Sequence, residues 1–327
     1  MEFSISPYDS HVNHLMKPWP NLTSMAKLAS KEKLASKNRD GETIFYYDCP
    51  PDGASVTGTV PVVVLIHGLG DEADSWRHLI PLLNSGGYRV LAPDLPGFGR
   101  SVAAGKISLK NHASAVLRLL EAQETAALGP VFLAGNSLGA LVAEAAAFEM
   151  QSQASPPARA LILIDGSMPG GPSNPGILAL AKLLLCRKWY RAYQDNPNKA
   201  WKSLYPYYAN LDSMPQEDKE FLRDRVMNRV ESRTQEKAFF RTQRSLIWAF
   251  MAASSSFAKK IQSYRGKILL LWGDMDRIIP LSSTETFMAL RGDIEMKIIK
   301  GAGHLPQQEK PEDTARLMVE FMDRVVD

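Results

Sequence analysis

From residue 60 onward the chain alternates short apolar, often β-branched runs with stretches in which apolar residues recur every three or four positions. The short runs are Pro61 to Ile66, Arg89 to Ala92, Val131 to Ala134, Ala160 to Ile164, Lys267 to Trp272 and Glu295 to Ile299. They are almost continuous in apolar character, as strands covered on both faces are. Between them, Ser108 to Ala126 places Ala113, Val116, Leu117 and Leu120 at helical spacing, and Lys310 to Val326 does the same with Ala315, Leu317, Met318 and Phe321. This alternation predicts an α/β fold with a mostly parallel central sheet and helices on both faces. Leu34 to Asp48, with a turn at Asn38-Arg39-Asp40-Gly41, predicts an antiparallel hairpin that adds edge strands. Residues 1–26 show no clear period and are read as an N-terminal extension.

The alternation stops after Pro169-Gly170-Gly171-Pro172 and resumes only at Lys267. Everything between reads as helix, so residues 168–262 are expected to form a helical cap inserted between the sixth and seventh strands, with residues 27–167 and 263–327 as the core. The insertion holds 13 of the chain's 28 aromatic residues, among them Trp189, Tyr190, Tyr193, Trp201, Tyr205, Tyr207 and Tyr208. Large side chains give a small helical body a core of its own, and a second face of the same residues can line a pocket.

Composition narrows the class. At 327 residues the chain fits one body plus an insertion, and 45% hydrophobic with 22% charged residues is ordinary for a globular protein. The longest apolar runs, Val60 to Ile66 and Ile177 to Leu185 with Lys182 inside it, fall short of the roughly 20 residues of a membrane helix, so no membrane span is expected. Asp9, His11, His14 and Lys17 interrupt the first 20 residues, which do not read as a signal peptide, and the expected setting is cytoplasmic. Cys49 and Cys186 lie far apart, outside any metal or disulfide spacing, and are read as ordinary thiols. The net charge of +3 is too small to imply nucleic acid, yet residues 168–262 carry 16 Lys and Arg against 8 Asp and Glu. Oligomeric state leaves no mark on the sequence.

Candidate chemistry begins at Gly135-Asn136-Ser137-Leu138-Gly139, which follows the Val131 to Ala134 run and opens a helix built on Ala140, Ala143 and Ala147. A strand that turns this sharply into a helix holds its apical serine in a sparsely populated conformation and needs small neighbours on both sides. A serine hydroxyl is a poor nucleophile unless a base takes its proton, so the turn calls for a histidine and an orienting carboxylate later in the chain. Two later strands supply candidates. One ends in Gly273-Asp274-Met275-Asp276, and the other is followed by Gly301-Ala302-Gly303-His304-Leu305-Pro306. Of the six histidines (His11, His14, His67, His78, His112 and His304) only His304 has the glycine-flanked loop after the last strand. Asp276, Asp274 and Asp165 are candidate acids, and His67-Gly68-Leu69-Gly70 closes the first central strand.

Taken in order over residues 60–326, these motifs resemble those of the α/β-hydrolase superfamily, capped serine hydrolases in particular. The resemblance implies Ser137 as nucleophile, His304 as base and Asp276, three residues after Gly273, as the acid. It also implies an oxyanion hole made by the backbone N–H groups of Leu69 and Leu138, a structural role for Pro93 to Ser101, and no metal or organic cofactor. Serine at 137 separates the chain from branches with an aspartate nucleophile. Asn136 before it is similar to the carbon–carbon hydrolases of ring-fission products, which makes Asn136 a substrate-binding candidate, although those enzymes tend to place tryptophan where this chain has Leu305. The expected reaction is cleavage of a small-molecule carboxylic ester through an acyl-enzyme. Carbon–carbon cleavage of a diketone, lactone opening and perhydrolysis use the same residues, and a ligand-binding module with a silent triad is the reading from another class.

Within Asp218 to Arg233 a stripe of Leu222, Val226 and Val230 runs beside Arg225, Arg229 and Arg233. If that border faces the cleft, Arg225 would hold a carboxylate or phosphate, and an anionic substrate is expected.

Overall fold

The computed structural model describes residues 25–29, 42–52, 59–123, 128–153, 157–166, 190–252 and 254–326. Among the described residues eight strands form one sheet: β1 (Met25–Ala29), β2 (Thr43–Cys49), β3 (Val60–Ile66), β4 (Arg89–Pro93), β5 (Leu128–Asn136), β6 (Ala160–Ile164), β7 (Lys267–Gly273) and β8 (Glu295–Ile299). Their order across the sheet is β1-β2-β4-β3-β5-β6-β7-β8. The pairs β1 with β2 and β2 with β4 are antiparallel, and all others are parallel.

Alternate residues of the central strands feed two separate cores. Val62, Val64 and Ile66 pack with Leu133, Leu161 and Leu163 against α2 (Leu109–Ala122) and α3 (Leu138–Ser152). Val63 and Leu65 pack with Trp76, Phe132 and Ile162 against α1 (Leu79–Ser85) and the C-terminal helix over Pro311–Val326. Each fully buried aliphatic side chain of this kind contributes about 1.5–3 kcal/mol. Helix α2 starts where Ser108 Oγ accepts the N–H of Asn111, 3.3 Å away. The buried Ala140, Ala143, Ala146 and Ala147 let α3 lie close to the sheet. β8, at the far edge, departs from the continuous-apolar pattern and leaves Ile298 exposed.

The expected hairpin is corrected. Thr43–Cys49 is the second strand from the edge, and its outer antiparallel partner is Met25–Ala29, with Leu28 opposite Ile44 and Met25 opposite Tyr47. Residues 34–41, which include the expected turn, lie outside the described residues. Two residues assigned to the N-terminal extension, Met25 and Ala26, thus belong to the sheet. The short run Met25-Ala26-Lys27-Leu28-Ala29 has too little alternation to announce a strand, and its pairing is decided by the open edge of β2.

Between β6 and β7 the described chain is helical: α4 (Pro197–Lys202), α5 (Gln216–Glu231), α6 (Arg233–Ala252) and α7 (Ser254–Ser263). This insertion has its own core of Tyr190, Ala200, Tyr208, Leu211, Leu222, Val226 and Val230, joined by Leu305 from the loop after β8. Of the aromatic residues singled out in the sequence, Tyr190 and Tyr208 are buried there, Tyr193 and Trp201 pack against it, and Tyr205 and Tyr207 are exposed. Trp189 lies outside the described residues. Among the described residues no helix is long and apolar enough to cross a membrane.

Candidate active site

Ser137 sits between β5 and α3 at φ 55°, ψ −115°, one of two non-glycine residues with positive φ among the described residues. Its amide donates to Ile164 O at 2.9 Å, which ties the turn to β6. A Cβ on Gly135 would run into the Gly139 carbonyl, and one on Gly139 into the Ile66 carbonyl oxygen. A Cβ on Gly166 would come within 2.7 Å of the Ser137 Cα. The strained serine is therefore held by main chain on three sides.

At the ends of β7 and β8 the structure brings Asp276 and His304 together. His304 Nδ1 lies 2.8 Å from Asp276 Oδ2, and both side chains are buried. Asp276 Oδ1 accepts the amides of Ile278 at 2.7 Å and Ile279 at 3.0 Å. Asp274 turns elsewhere, accepting the Gly301 amide at 2.7 Å beside Lys300. The third candidate acid, Asp165, is fully buried at φ 45° after β6, and its Oδ1 accepts the Gly273 amide at 2.9 Å.

The main chain of His304 is also held. Its amide donates to Tyr207 O at 2.8 Å, and its carbonyl accepts Asn136 Nδ2 at 2.9 Å. The same Asn136 nitrogen donates to Ile164 O at 3.2 Å. Expected as a substrate contact, Asn136 has its donor nitrogen engaged as a strut between the serine turn and the histidine loop. Glu309 is a second strut, missed in the sequence: it accepts the Gly303 amide at 2.6 Å and the Ala209 amide of the insertion at 2.7 Å. A glutamate five residues after a glycine-flanked histidine carries no sequence signal of that role.

Leu69 and Gly70 form the turn after β3, with Gly70 at φ 71° against Phe239 and Arg229 of the insertion. His67 fixes the start of this turn: its Nδ1 donates to Gly68 O at 2.8 Å and its Nε2 accepts the Leu95 amide at 2.8 Å. Full burial lowers its pKa and keeps the ring neutral, as that pair of bonds requires. Leu138 opens α3, where the first N–H groups have no carbonyl one turn back.

A seam of charges joins the insertion to the core. Asp218 on α5 accepts Arg77 Nε and Nη2 at 3.2 Å and lies 2.8 Å from His78 Nε2. Arg225 lies 3.3 Å from Glu72 and 3.7 Å from Asp74, stacked 4.7 Å from the Phe221 ring centre, and Arg229 lies 3.4 Å from Asp71. Burial pushes the Glu72 carboxyl up to about 7, with Arg225 opposing and Asp74 adding to the rise. Arg225, expected to meet a substrate anion, thus faces the chain's own carboxylates. The arginine stripe also ends sooner than expected, because the helix breaks at Ser232 and Arg233 begins α6.

Asp165, Asp276 and His304 offer ligand atoms within 4.8 Å of one another, close enough to consider a cation. Three of the four carboxyl oxygens already accept backbone N–H groups or the imidazole N–H, which is the layout of a hydrogen-bonded network.

A strained serine at a strand-to-helix turn, a histidine and aspartate on the last two strand ends and a helical insertion above them define a class of α/β hydrolases. Residues 63–317 match the alpha/beta hydrolase family, and the chain belongs to that family. It is 25% identical over 309 residues, 92% of this chain and 98% of the relative, to a 2-hydroxy-6-oxononadienedioate/2-hydroxy-6-oxononatrienedioate hydrolase of Paraburkholderia xenovorans strain LB400. Two solved structures share the fold. One is a thermophilic esterase from Thermogutta terrifontis, with a TM-score of 0.70 and 21% identity, covering 93% of this chain and 100% of that one. The other is the 2-hydroxy-6-oxo-6-phenylhexa-2,4-dienoate hydrolase of Rhodococcus sp. strain RHA1, with a TM-score of 0.65 and 20% identity, covering 86% and 95%. The chain is a hydrolase of this family.

Proposed function

We propose that Ser137 is the nucleophile of a hydrolase acting on a small acyl compound, with His304 as general base and then acid and Asp276 orienting the imidazole. The bond between His304 Nδ1 and Asp276 Oδ2 carries this reading. A carboxylate accepts, so Nδ1 holds the proton and the lone pair falls on Nε2, where a base needs it. The amides of Leu69 and Leu138 serve as donors to the oxyanion, each worth about 3–4 kcal/mol in the transition state. In this scheme residues 168–262 cap the site, and residues 27–167 with 263–327 carry it.

For the bond cleaved, we read a carbon–carbon bond beside a ketone. The sequence alone puts esters first, but relatives matched along nearly their whole length, at 25% and 27% identity, are named as hydrolases of 2-hydroxy-6-oxo dienedioates and trienedioates. Ser137 Oγ adds to the ketone carbon while His304 takes its proton. The carbon–carbon bond then breaks, its electron pair moves into the conjugated system of the leaving fragment, and that fragment is protonated. Water, deprotonated by His304, hydrolyses the ester left on Ser137. Every step uses groups of the chain and water.

Ester cleavage stands second for one reason. Arg77, Arg225 and Arg229 are each paired with carboxylates of the chain, so a second carboxylate on the substrate would have to compete with them. The test is to assay purified protein on a conjugated 2-hydroxy-6-oxo dienoate and on short p-nitrophenyl esters, beside Ser137→Ala. Loss of turnover by at least about 10⁴-fold in the variant is expected. Ester turnover without dienoate turnover would move esters to first place, and full activity in Ser137→Ala would end the reading.

A further inference from the structure

Asp165 is a buried carboxyl group that the reaction above leaves idle. It occupies a left-handed backbone position that only Ser137 shares among the described non-glycine residues, and its amide donates to Leu271 O at 3.0 Å. Oδ1 is taken by the Gly273 amide, and Oδ2 has no partner that donates to it. The Asp276 carboxyl and the His304 ring lie in the same cluster, with ligand atoms within 4.8 Å.

We propose that Asp165 keeps its proton and gives it as a hydrogen bond to the Asp276 carboxylate, acting as a positioning residue for the pair Asp276–His304, and that it takes over as the acid when Asp276 is removed. Asp276 already accepts three N–H groups, from Ile278, Ile279 and His304, so it is the acceptor of the two carboxyls. A neutral Asp165 offers the one group an acceptor-only neighbour can use, an O–H. Two carboxyls sharing a site do not both ionise. Burial, first, and the Asp276 charge, second, push the Asp165 carboxyl well above the usual carboxylate range, and the Gly273 amide only partly opposes them. Glu309, on the short helix after His304, adds to the rise, while its own oxygens are taken by the Gly303 and Ala209 amides. A hydrogen bond from Asp165 disperses the Asp276 charge and limits how strongly that carboxylate holds the protonated imidazole. Without Asp276 the repulsion is gone, and the protonated imidazole beside Asp165 is then the charge that offsets the burial cost of its ionised form.

This inference rests on the triad reading above. Asp165→Asn keeps both functions, an N–H donor toward Asp276 and a carbonyl for the Gly273 amide, and is expected to hold kcat/KM within about threefold with an unmoved acidic limb. Asp165→Leu removes the donor; kcat is expected to fall about 10–100-fold with little change in KM, and the acidic limb to move to higher pH. If Asp165→Asn loses as much as Asp165→Leu, or its acidic limb moves down, Asp165 is not a neutral donor and the proposal fails. Asp276→Ala should keep at least about tenfold more activity than Asp165→Asn/Asp276→Ala, and equal activities would overturn the takeover. Infrared difference spectra of the unliganded protein read the proton without turnover: a carbonyl stretch from a protonated carboxyl group should vanish in Asp165→Asn. Its absence from the parent protein overturns the proposal even if Ser137→Ala confirms the reaction. Its presence in a protein whose Ser137→Ala variant stays active would sink the reaction scheme alone.

Discussion

Around Ser137 the chain is held by main chain against main chain, with Gly135, Gly139 and Gly166 each placed where a methyl group would strike a neighbouring backbone. The seam between insertion and core is held by side-chain charge, through Arg77 with Asp218, Arg225 with Glu72 and Asp74, and Arg229 with Asp71. Backbone packing has no proton to lose and no screening to suffer, so it fixes Ser137 under all conditions in which the sheet persists. Buried charges respond to pH, and removing one partner leaves the other exposed to an apolar interior. The two regions meet at His304, whose carbonyl is tied to Asn136 of the serine turn and whose amide is tied to Tyr207 of the insertion. Displacement of the insertion therefore acts on the histidine before it acts on the serine.

The largest effect should come from breaking the backbone side of this comparison. Gly139→Ala places a methyl group on the Ile66 carbonyl at the centre of the sheet, with no flexible side chain to give way. A loss above about 4 kcal/mol is expected, enough to leave little folded protein in urea titrations. A well-folded Gly139→Ala variant would show that the turn is less tightly sealed than its geometry states.

Next comes the charged side. Arg225→Ala removes the cation that faces two buried carboxylates, and a loss of about 3 kcal/mol is expected at pH 8. At pH 5 the loss should be smaller, because Glu72 carries a proton there and needs the arginine less. Thermal melts at both pH values decide it, and an equal loss at both would mean that Glu72 does not titrate against Arg225.

Much of the backbone side was legible in advance. Five of the six strands were visible as apolar runs because both of their faces are covered, the sixth, Glu295–Ile299, being an edge strand with Lys297 and Ile298 exposed, and Gly135 and Gly139 of the serine turn flank the serine in sequence. The charged side was not legible. Arginines at helical spacing mark a face of α5, but nothing in that spacing says whether the face meets a substrate or the carboxylates at residues 71–74, some 150 positions earlier. The strut made by Asn136 was hidden for a related reason: a side-chain amide beside Ser137 can reach outward or brace a loop, and the His304 carbonyl that its nitrogen meets comes from another strand end. The pairing of Met25–Ala29 with β2 was hidden because an edge strand takes its partner from the open edge and not from its own pattern.

Glu72→Gln should isolate the pH response of the seam. In the fold burial raises the Glu72 carboxyl from 4.5 to about 7, so between those values the folded state binds more protons than the unfolded state. Stability then falls as pH rises through this window, is unaffected by Glu72 below about 4.5, and levels off above about 7. The contribution lost is about 3 kcal/mol, a figure that already includes the compensation from Arg225. Glutamine cannot titrate, so the difference between parent and variant in urea midpoints across this range should carry the slope while all other groups cancel. A pH-independent difference would place the ionised form of Glu72 comfortably inside the fold.

Ser137→Gly asks the smallest and most specific question. Serine at φ 55° and ψ −115° stores strain that the backbone contacts of Gly135, Gly139 and Gly166 impose, and glycine occupies the same conformation without it. Glycine also makes the unfolded chain more flexible, which offsets part of the gain. A net stabilisation of about 1 kcal/mol is expected, together with loss of turnover, because the hydroxyl is gone. Ser137→Ala removes the same hydroxyl but keeps the Cβ and its strain, so it should lose turnover without gaining stability. Stability that rises equally in both variants would place the cost in burying the hydroxyl. Stability that rises only in glycine would place it in the backbone, where the packing of the turn says it lies.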